Sequence, residues 1–99
     1  MQVLALSRRK PGVTDAQVAP LAAAEAAAAY RLYEAGVFRS MHMLPERPGA
    51  MVVLESESLE AAHAVLSRLP MVEAGLIEFD CSRMLPYGGF KALLRTDLP

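Results

Sequence analysis

Tryptophan is absent from this chain, and 99 residues contain one cysteine and two histidines. A single thiol, Cys81, rules out an internal disulfide. His42, His63 and Cys81 do not have the spacing of metal ligands, so no metal is implied. Nothing resembles a dinucleotide fingerprint. An excess of positive charge is missing too. Ten Lys and Arg stand against eleven Asp and Glu, a formal charge of −1. That removes the electrostatic footprint of a nucleic-acid-binding protein. No apolar run approaches the ~18 residues of a membrane span. The opening residues, MQVLALSRRK, carry their charges after the apolar run, the reverse of a signal peptide. The expectation is a cytoplasmic protein with no nucleic-acid and no membrane partner.

Apolar residues, in contrast, are abundant at 54%, above the ~45–50% of an average domain. A chain of this length forms one domain, residues 1–99, and buries only ~60–65% of its unfolded surface. The surplus of apolar surface points to self-association.

The local patterns divide the chain into six elements. Gln2 to Leu6 reads as a short buried strand. SRRK at Ser7 to Lys10, before Pro11-Gly12, reads as a solvated turn. Thr14-Asp15-Ala16-Gln17 is a capping box opening a long helix to about Ala35, with Pro20 as a kink and Gly36 as the stop. Val37 to Met43 is a second strand, LPERPG a loop, and Ala50 to Glu55 a third strand. Ser56 or Ser58 caps a second helix from about Leu59 to Arg68, which Pro70 closes. Leu76 to Arg83 is the fourth strand. Residues 86–99 form a tail, hinged at Gly88-Gly89, expected to pack on a neighbouring subunit.

The order β-α-β-β-α-β predicts an α+β, ferredoxin-like fold: a four-stranded, mostly antiparallel sheet with two helices on one face. The spatial order should be fourth, first, third, second. VLAL and MVVL are apolar on both sides, whereas two helices cover only one side. A second copy of the chain is the simplest cover for the other. The expected assembly is a dimeric α/β barrel, a homodimer or higher homo-oligomer.

Within GLIEFDCSRMLP, Ile77, Phe79 and Cys81 alternate with Glu78 and Asp80. If the apolar set packs on the helices, the carboxylates point into the cleft between two sheets. A carboxylate partly withdrawn from water can act as acid or base near neutrality. Glu78 and Asp80 are therefore catalytic candidates; the alternative is a solvated face paired with Arg83 or Arg39. Arg39 interrupts the second strand on the side of Val37, Met41 and Met43. It is placed to clamp a substrate carboxylate or to form a structural ion pair. The second and fourth strands lie at opposite sheet edges, ~14 Å apart, so Arg39 meets the carboxylates only across a dimer or over a substrate. Met41 and His42 complete a substrate-binding set; His42 alternates with Phe38 and Ser40. Tyr30 and Tyr33 read as core or interface, His63 as a boundary residue, and Cys81 as a buried thiol rather than a nucleophile.

EAGVFRSMHM followed by SESLEAAHAVLSRLPMVEAGLIEFD resembles the muconolactone delta-isomerase family. The shared features are Gly36, Phe38-Arg39, the helix from Ser58 to His63, the Leu69-Pro70 break and the strand Ile77-Glu78-Phe79-Asp80. The resemblance implies a ferredoxin-like fold in dimeric barrels and a cofactor-free isomerisation in aromatic degradation. The substrate would be a small carboxylated lactone or a related enolisable acid. A proton would move between carbons through a dienolate, with Glu78 or Asp80 as base and Arg39 as anchor. Leu4 and Leu6 stand where the family's first strand is polar, and Ser40 where a histidine is frequent. Those positions favour an alternative, a non-enzymatic small-ligand-binding or assembly module. The Met-rich second and third strands also suit a cofactor-free monooxygenase.

Overall fold

A computed structural model describes residues 1–94; residues 95–99 of the expected tail lie outside the described residues. β1 (Gln2–Arg9) is the strand on which the sheet is built. It pairs antiparallel with β3 (Ala50–Glu55) on one side and β4 (Ile77–Met84) on the other. β2 (Phe38–Met43) pairs antiparallel with the outer side of β3. The order β2-β3-β1-β4 is the one the element pattern predicts.

β1 runs three residues beyond the expected Leu6, because Ser7, Arg8 and Arg9 continue the ladder opposite Phe79, Glu78 and Ile77. The basic run is thus mostly strand rather than turn. Acidic partners across the ladder stabilise it there.

Pro20 divides the long helix. It lies in a 3₁₀ turn (Ala19–Leu21) between α1 (Asp15–Val18) and α2 (Ala22–Glu34). Gly36, at φ +77°, ends α2 as expected. The second helix, α3 (Leu59–Leu66), is capped by Ser58, whose Oγ accepts the Ala61 N–H at 3.0 Å. Pro70 does not merely close this segment. It opens a further short helix, α4 (Pro70–Glu73), at the first-turn position where a missing N–H costs nothing.

Register assigns each residue to a face. Directly opposed residues of an antiparallel ladder share a side. Val3 opposes Leu54 and Ala5 opposes Val52, and all four are buried against the helices. Phe38, Ala29, Ala62, Leu66 and Leu69 complete that core. Leu4 opposes Val53 and Leu6 opposes Met51 on the other side, which no helix among the described residues covers. This apolar face is the one expected to meet a second sheet.

One irregularity moves residues of β2. Phe38 opposes Leu54 but Ser40 opposes Val53, so Arg39 is the extra residue of a β-bulge. Phe38, Met41 and Met43 consequently face the helices, and Ser40 and His42 face the open side. The expected alternations of His42 with Phe38, and of Arg39 with Met41 and Met43, are both corrected by this bulge.

The loop before β3 approaches β1 closely. Gly49 has φ +105°, and a Cβ there would lie 2.2 Å from the Ser7 carbonyl oxygen. Beside it, the Ala50 N–H donates to Ser7 Oγ at 2.8 Å. Gly49→Ala is therefore expected to destabilise the fold by more than ~1 kcal/mol, since alanine neither accepts this φ nor fits the space. Urea denaturation of the variant beside wild type measures it.

Candidate active site

The largest cavity, about 920 Å³, lies between the helix side of the sheet and α2. It exists because α2 presents alanine there. Ala22 and Ala26 are too short to reach the sheet opposite them, Ala29 packs into the core at one end, and Phe38, Met41, Val52 and Phe79 form the floor. The size suits a compact organic ligand.

Polar groups are few and concentrated. Glu25 is the single carboxylate of the lining. It stands one turn along α2 between Ala22 and Ala29, and its Oε1 accepts the Met71 N–H of α4 at 2.9 Å. Arg47, from the loop before β3, lines the cavity together with Arg8 and Arg9 of β1. Arg9 Nη1 is held at 2.6 Å by Asp15 Oδ1. Among the described residues Arg47 has no carboxylate partner. Ser7 is the one buried polar residue of the strand floor. The cavity lining therefore combines an apolar floor, one carboxylate and three arginines.

Two features predicted from sequence lie elsewhere. Glu78 and Asp80 point to the open face of the sheet, opposite Arg8 and Leu6. Both contact one guanidinium: Arg8 Nε donates to Glu78 Oε1 at 2.9 Å, and Arg8 Nη1 to Asp80 Oδ2. The bond to Glu78, followed by the Asp80 charge, raises the Arg8 pKa above its ordinary value. The expected partners Arg83 and Arg39 are thus replaced by Arg8. Arg83 opposes Val3, on the helix side of β4.

Arg39, Met41 and His42 do come together. They line a shallower groove of about 590 Å³ beside Tyr30 and Tyr33 of α2. Those tyrosines are 60% and 55% exposed, so they are not core. This groove sits on β2, and Glu78 and Asp80 sit on β4, with β3 and β1 between them. Within one chain the two sets do not meet. Of Arg39, Met41 and His42 only Met41 also lines the large cavity, which shares Ala26 and Ala29 of α2 with the groove.

Glu25 and Arg47 went unnoticed in the sequence. A signal existed for the first: Glu25 is the only charge within LAAAEAAAAY, where an all-alanine helix would otherwise serve. Arg47 in LPERPG carries no comparable mark. Among the described residues no three metal-ligating side chains cluster, and no helix is long and apolar enough to cross a membrane.

An antiparallel sheet with order β2-β3-β1-β4 and helices on one side defines a ferredoxin-like α+β fold. The model of the family described as muconolactone delta-isomerase matches residues 2–80, and the chain belongs to that family. Two solved structures share the fold. One is muconolactone isomerase, at 20% identity and TM-score 0.70, covering 89% of this chain and 92% of that one. The other is 5-chloro-2-hydroxyhydroquinone dehydrochlorinase from Burkholderia phenoliruptrix, in complex with 2,5-dihydroxybenzoquinone. It has 20% identity and TM-score 0.69, covering 86% of this chain and 94% of that one. No curated protein sequence matches the chain.

Cys81 faces the helices, with Sγ 3.8 Å from His63 Nδ1. Burial, and secondarily the Asp80 charge, push its thiol above the ordinary range. The folded state therefore holds a proton that the unfolded state releases. Stability should decline as pH rises from the unfolded thiol pKa towards the folded one. Iodoacetamide should alkylate Cys81 more slowly than a free thiol at pH 8. Asp80→Asn should speed the reaction by removing the second cause.

Proposed function

We propose that this protein is a cofactor-free proton-transfer enzyme of the isomerase or lyase type, acting on a small carboxylated ring compound in the cavity beneath α2. Membership of the muconolactone delta-isomerase family supports the reaction class. The names of the two structural neighbours concern compact oxygenated ring compounds, muconolactone and 5-chloro-2-hydroxyhydroquinone. The observation that carries the reading is the composition of the cavity: one carboxylate, Glu25, in a mainly apolar lining that also holds Arg8, Arg9 and Arg47.

Migration of a ring double bond relative to a lactone carbonyl needs one proton moved between two carbons. A base takes the proton from the carbon next to the unsaturation, leaving a dienolate. The same group returns it at the far end, so no atom or electron is gained or lost. Glu25 fills that role, and Met71 N–H fixes one of its oxygens. A substrate carboxylate seats on Arg47, whose planar fork binds it bidentately. The apolar floor excludes water, which would compete for the dienolate. Met41 contributes to that floor.

A second reading has its own observation. Glu78 and Asp80 converge on Arg8 beside the uncovered apolar face. A second sheet over that face would enclose them, and they would then act as proton carriers, with Arg39 and His42 binding substrate.

Proton NMR of muconolactone in D₂O separates the two. Under the first reading the wild type isomerises the lactone or exchanges its acidic proton. Glu25→Gln then lowers the rate by ~10²-fold or more, and Arg47→Ala raises KM. Glu78→Gln and Asp80→Asn keep most of the activity. Loss in the β4 variants with Glu25→Gln active would transfer the chemistry to the open face. No conversion and no exchange by the wild type would sink both.

A further inference from the structure

We infer that the Ser7 hydroxyl is a catalytic donor on the sheet side of the cavity, holding the substrate's carbonyl oxygen as that oxygen takes on negative charge. This rests on the cavity beneath α2 being the reaction site. It narrows the substrate class to ring compounds whose acidic carbon is conjugated to an acceptor oxygen.

Ser7 is out of place in its strand. Val3 and Ala5, the preceding residues of β1 on the same side, are apolar and fully buried. Ser7 continues the series at 7% exposure, the one buried polar residue among the described residues. A hydroxyl in such a position has lost water and needs partners from the protein. Its oxygen has one: Oγ accepts the Ala50 N–H at 2.8 Å. Its proton has none. The hydroxyls of Ser56 and Ser67 donate to the carbonyls of Ser58 and Ala64, at 2.8 and 2.7 Å. No acceptor among the described residues takes the proton of Ser7.

The surroundings direct that proton. The loop before β3 closes one side of Oγ, where the Ala50 N–H sits and where a Cβ on Gly49 would lie 3.1 Å away. Ser7 also lines the cavity, so the unused donor opens into the chamber. The Ala50 bond strengthens it as well. A hydroxyl oxygen that accepts a hydrogen bond is polarised and donates more strongly to the next acceptor.

The proposed reaction needs such a group. When Glu25 removes a proton from carbon, the electron pair of the broken C–H bond moves into the conjugated system and its charge appears on the carbonyl oxygen. A mainly apolar lining makes that charge costly, and a donor already in place offsets the cost without reorganisation. Glu25 belongs to α2 and Ser7 to β1, so base and donor come from opposite walls. Glu25 Oε1 is taken by the Met71 N–H, while Oε2 has no hydrogen bond among the described residues. Arg8 and Arg9 are engaged by Glu78, Asp80 and Asp15, and Arg47 is assigned to the substrate carboxylate. Ser7 is left for the carbonyl oxygen. It keeps its own proton throughout. When the carbon proton returns at the far end, the oxygen charge disappears and the hydrogen bond weakens, which favours release.

A matched pair of ligands tests this without turnover. The anion of 4-nitrophenol places a negative oxygen on a compact ring; 4-nitroanisole has the same ring and no such charge. Both are titrated into wild type, Ser7→Ala and Ser7→Cys, the last filling the same space with a weak donor. The two variants should bind the phenolate ~10-fold more weakly or worse, with the affinity for 4-nitroanisole unchanged. Equal losses for both ligands would make Ser7 an anchor of the loop and nothing more. No loss would leave the anion to the arginines. Either result overturns the proposal, as does a wild type that binds neither ligand. In the lactone assay Ser7→Ala should lower kcat ~10²-fold with little change in KM. Phenolate discrimination by a protein inert towards the lactone would uphold the donor and refute only the assigned reaction. Turnover that depends on Glu25 and is indifferent to Ser7→Ala would refute only the donor.

Discussion

The antiparallel pairing of β1 with both β3 and β4 is the constraint on which the rest of this structure depends. Residues two apart on β1 are committed to opposite duties. Val3, Ala5 and Ser7 go to the core and the cavity floor; Leu4, Leu6 and Arg8 go to the uncovered face. A slip of one residue would exchange them, placing Arg8 in the core and Val3 in water. The register is held from outside the ladder as well. Ser7 Oγ accepts from Ala50 N–H, and Gly49 lets the loop lie against the Ser7 carbonyl. On the other side Arg8 spans Glu78 and Asp80. These ion pairs are solvent-exposed, so they contribute specificity of register more than stability.

Local patterns in the sequence were enough for the sheet and its order. Alternation at Ile77, Phe79 and Cys81 placed Glu78 and Asp80 on the face away from the helices, and VLAL and MVVL implied a face needing further cover. What local pattern does not contain is the insertion of one residue in a ladder. The bulge at Arg39 inverts the relation between Phe38 and His42, and nothing in GVFRSMHM distinguishes it from regular alternation. Nor does a basic run show whether it faces solvent or an acidic neighbour. SRRK reads as a turn until Glu78 and Asp80, some seventy residues later, are set beside it. Pro70 is ambiguous in the same way, since it can follow one helix or begin another.

The cavity was the least legible part, for a physical reason. Its walls are ordinary core residues, and the space arises from side chains that α2 does not have. An alanine-rich helix reads as high helical propensity, and propensity says nothing about how far a helix face stands from a sheet. Glu25 becomes meaningful only once that gap is known. There, the same carboxylate that faces the chamber also ties α2 to α4 through Met71.

That alanine face also sets how the protein can change. Cavities lined by large side chains are enlarged at a cost in packing, often several kcal/mol for a single truncation. Here the vacant volume is already present in the folded chain, and Ala22, Ala26 and Ala29 border it along one stripe of a helix. Adding carbons at the exposed Ala22 and Ala26 extends into empty space, whereas Ala29 is already packed in the core. The shape of the chamber is therefore adjustable one methyl group at a time. A ferredoxin-like layer with this arrangement is able to change the shape of its cavity with little penalty in stability.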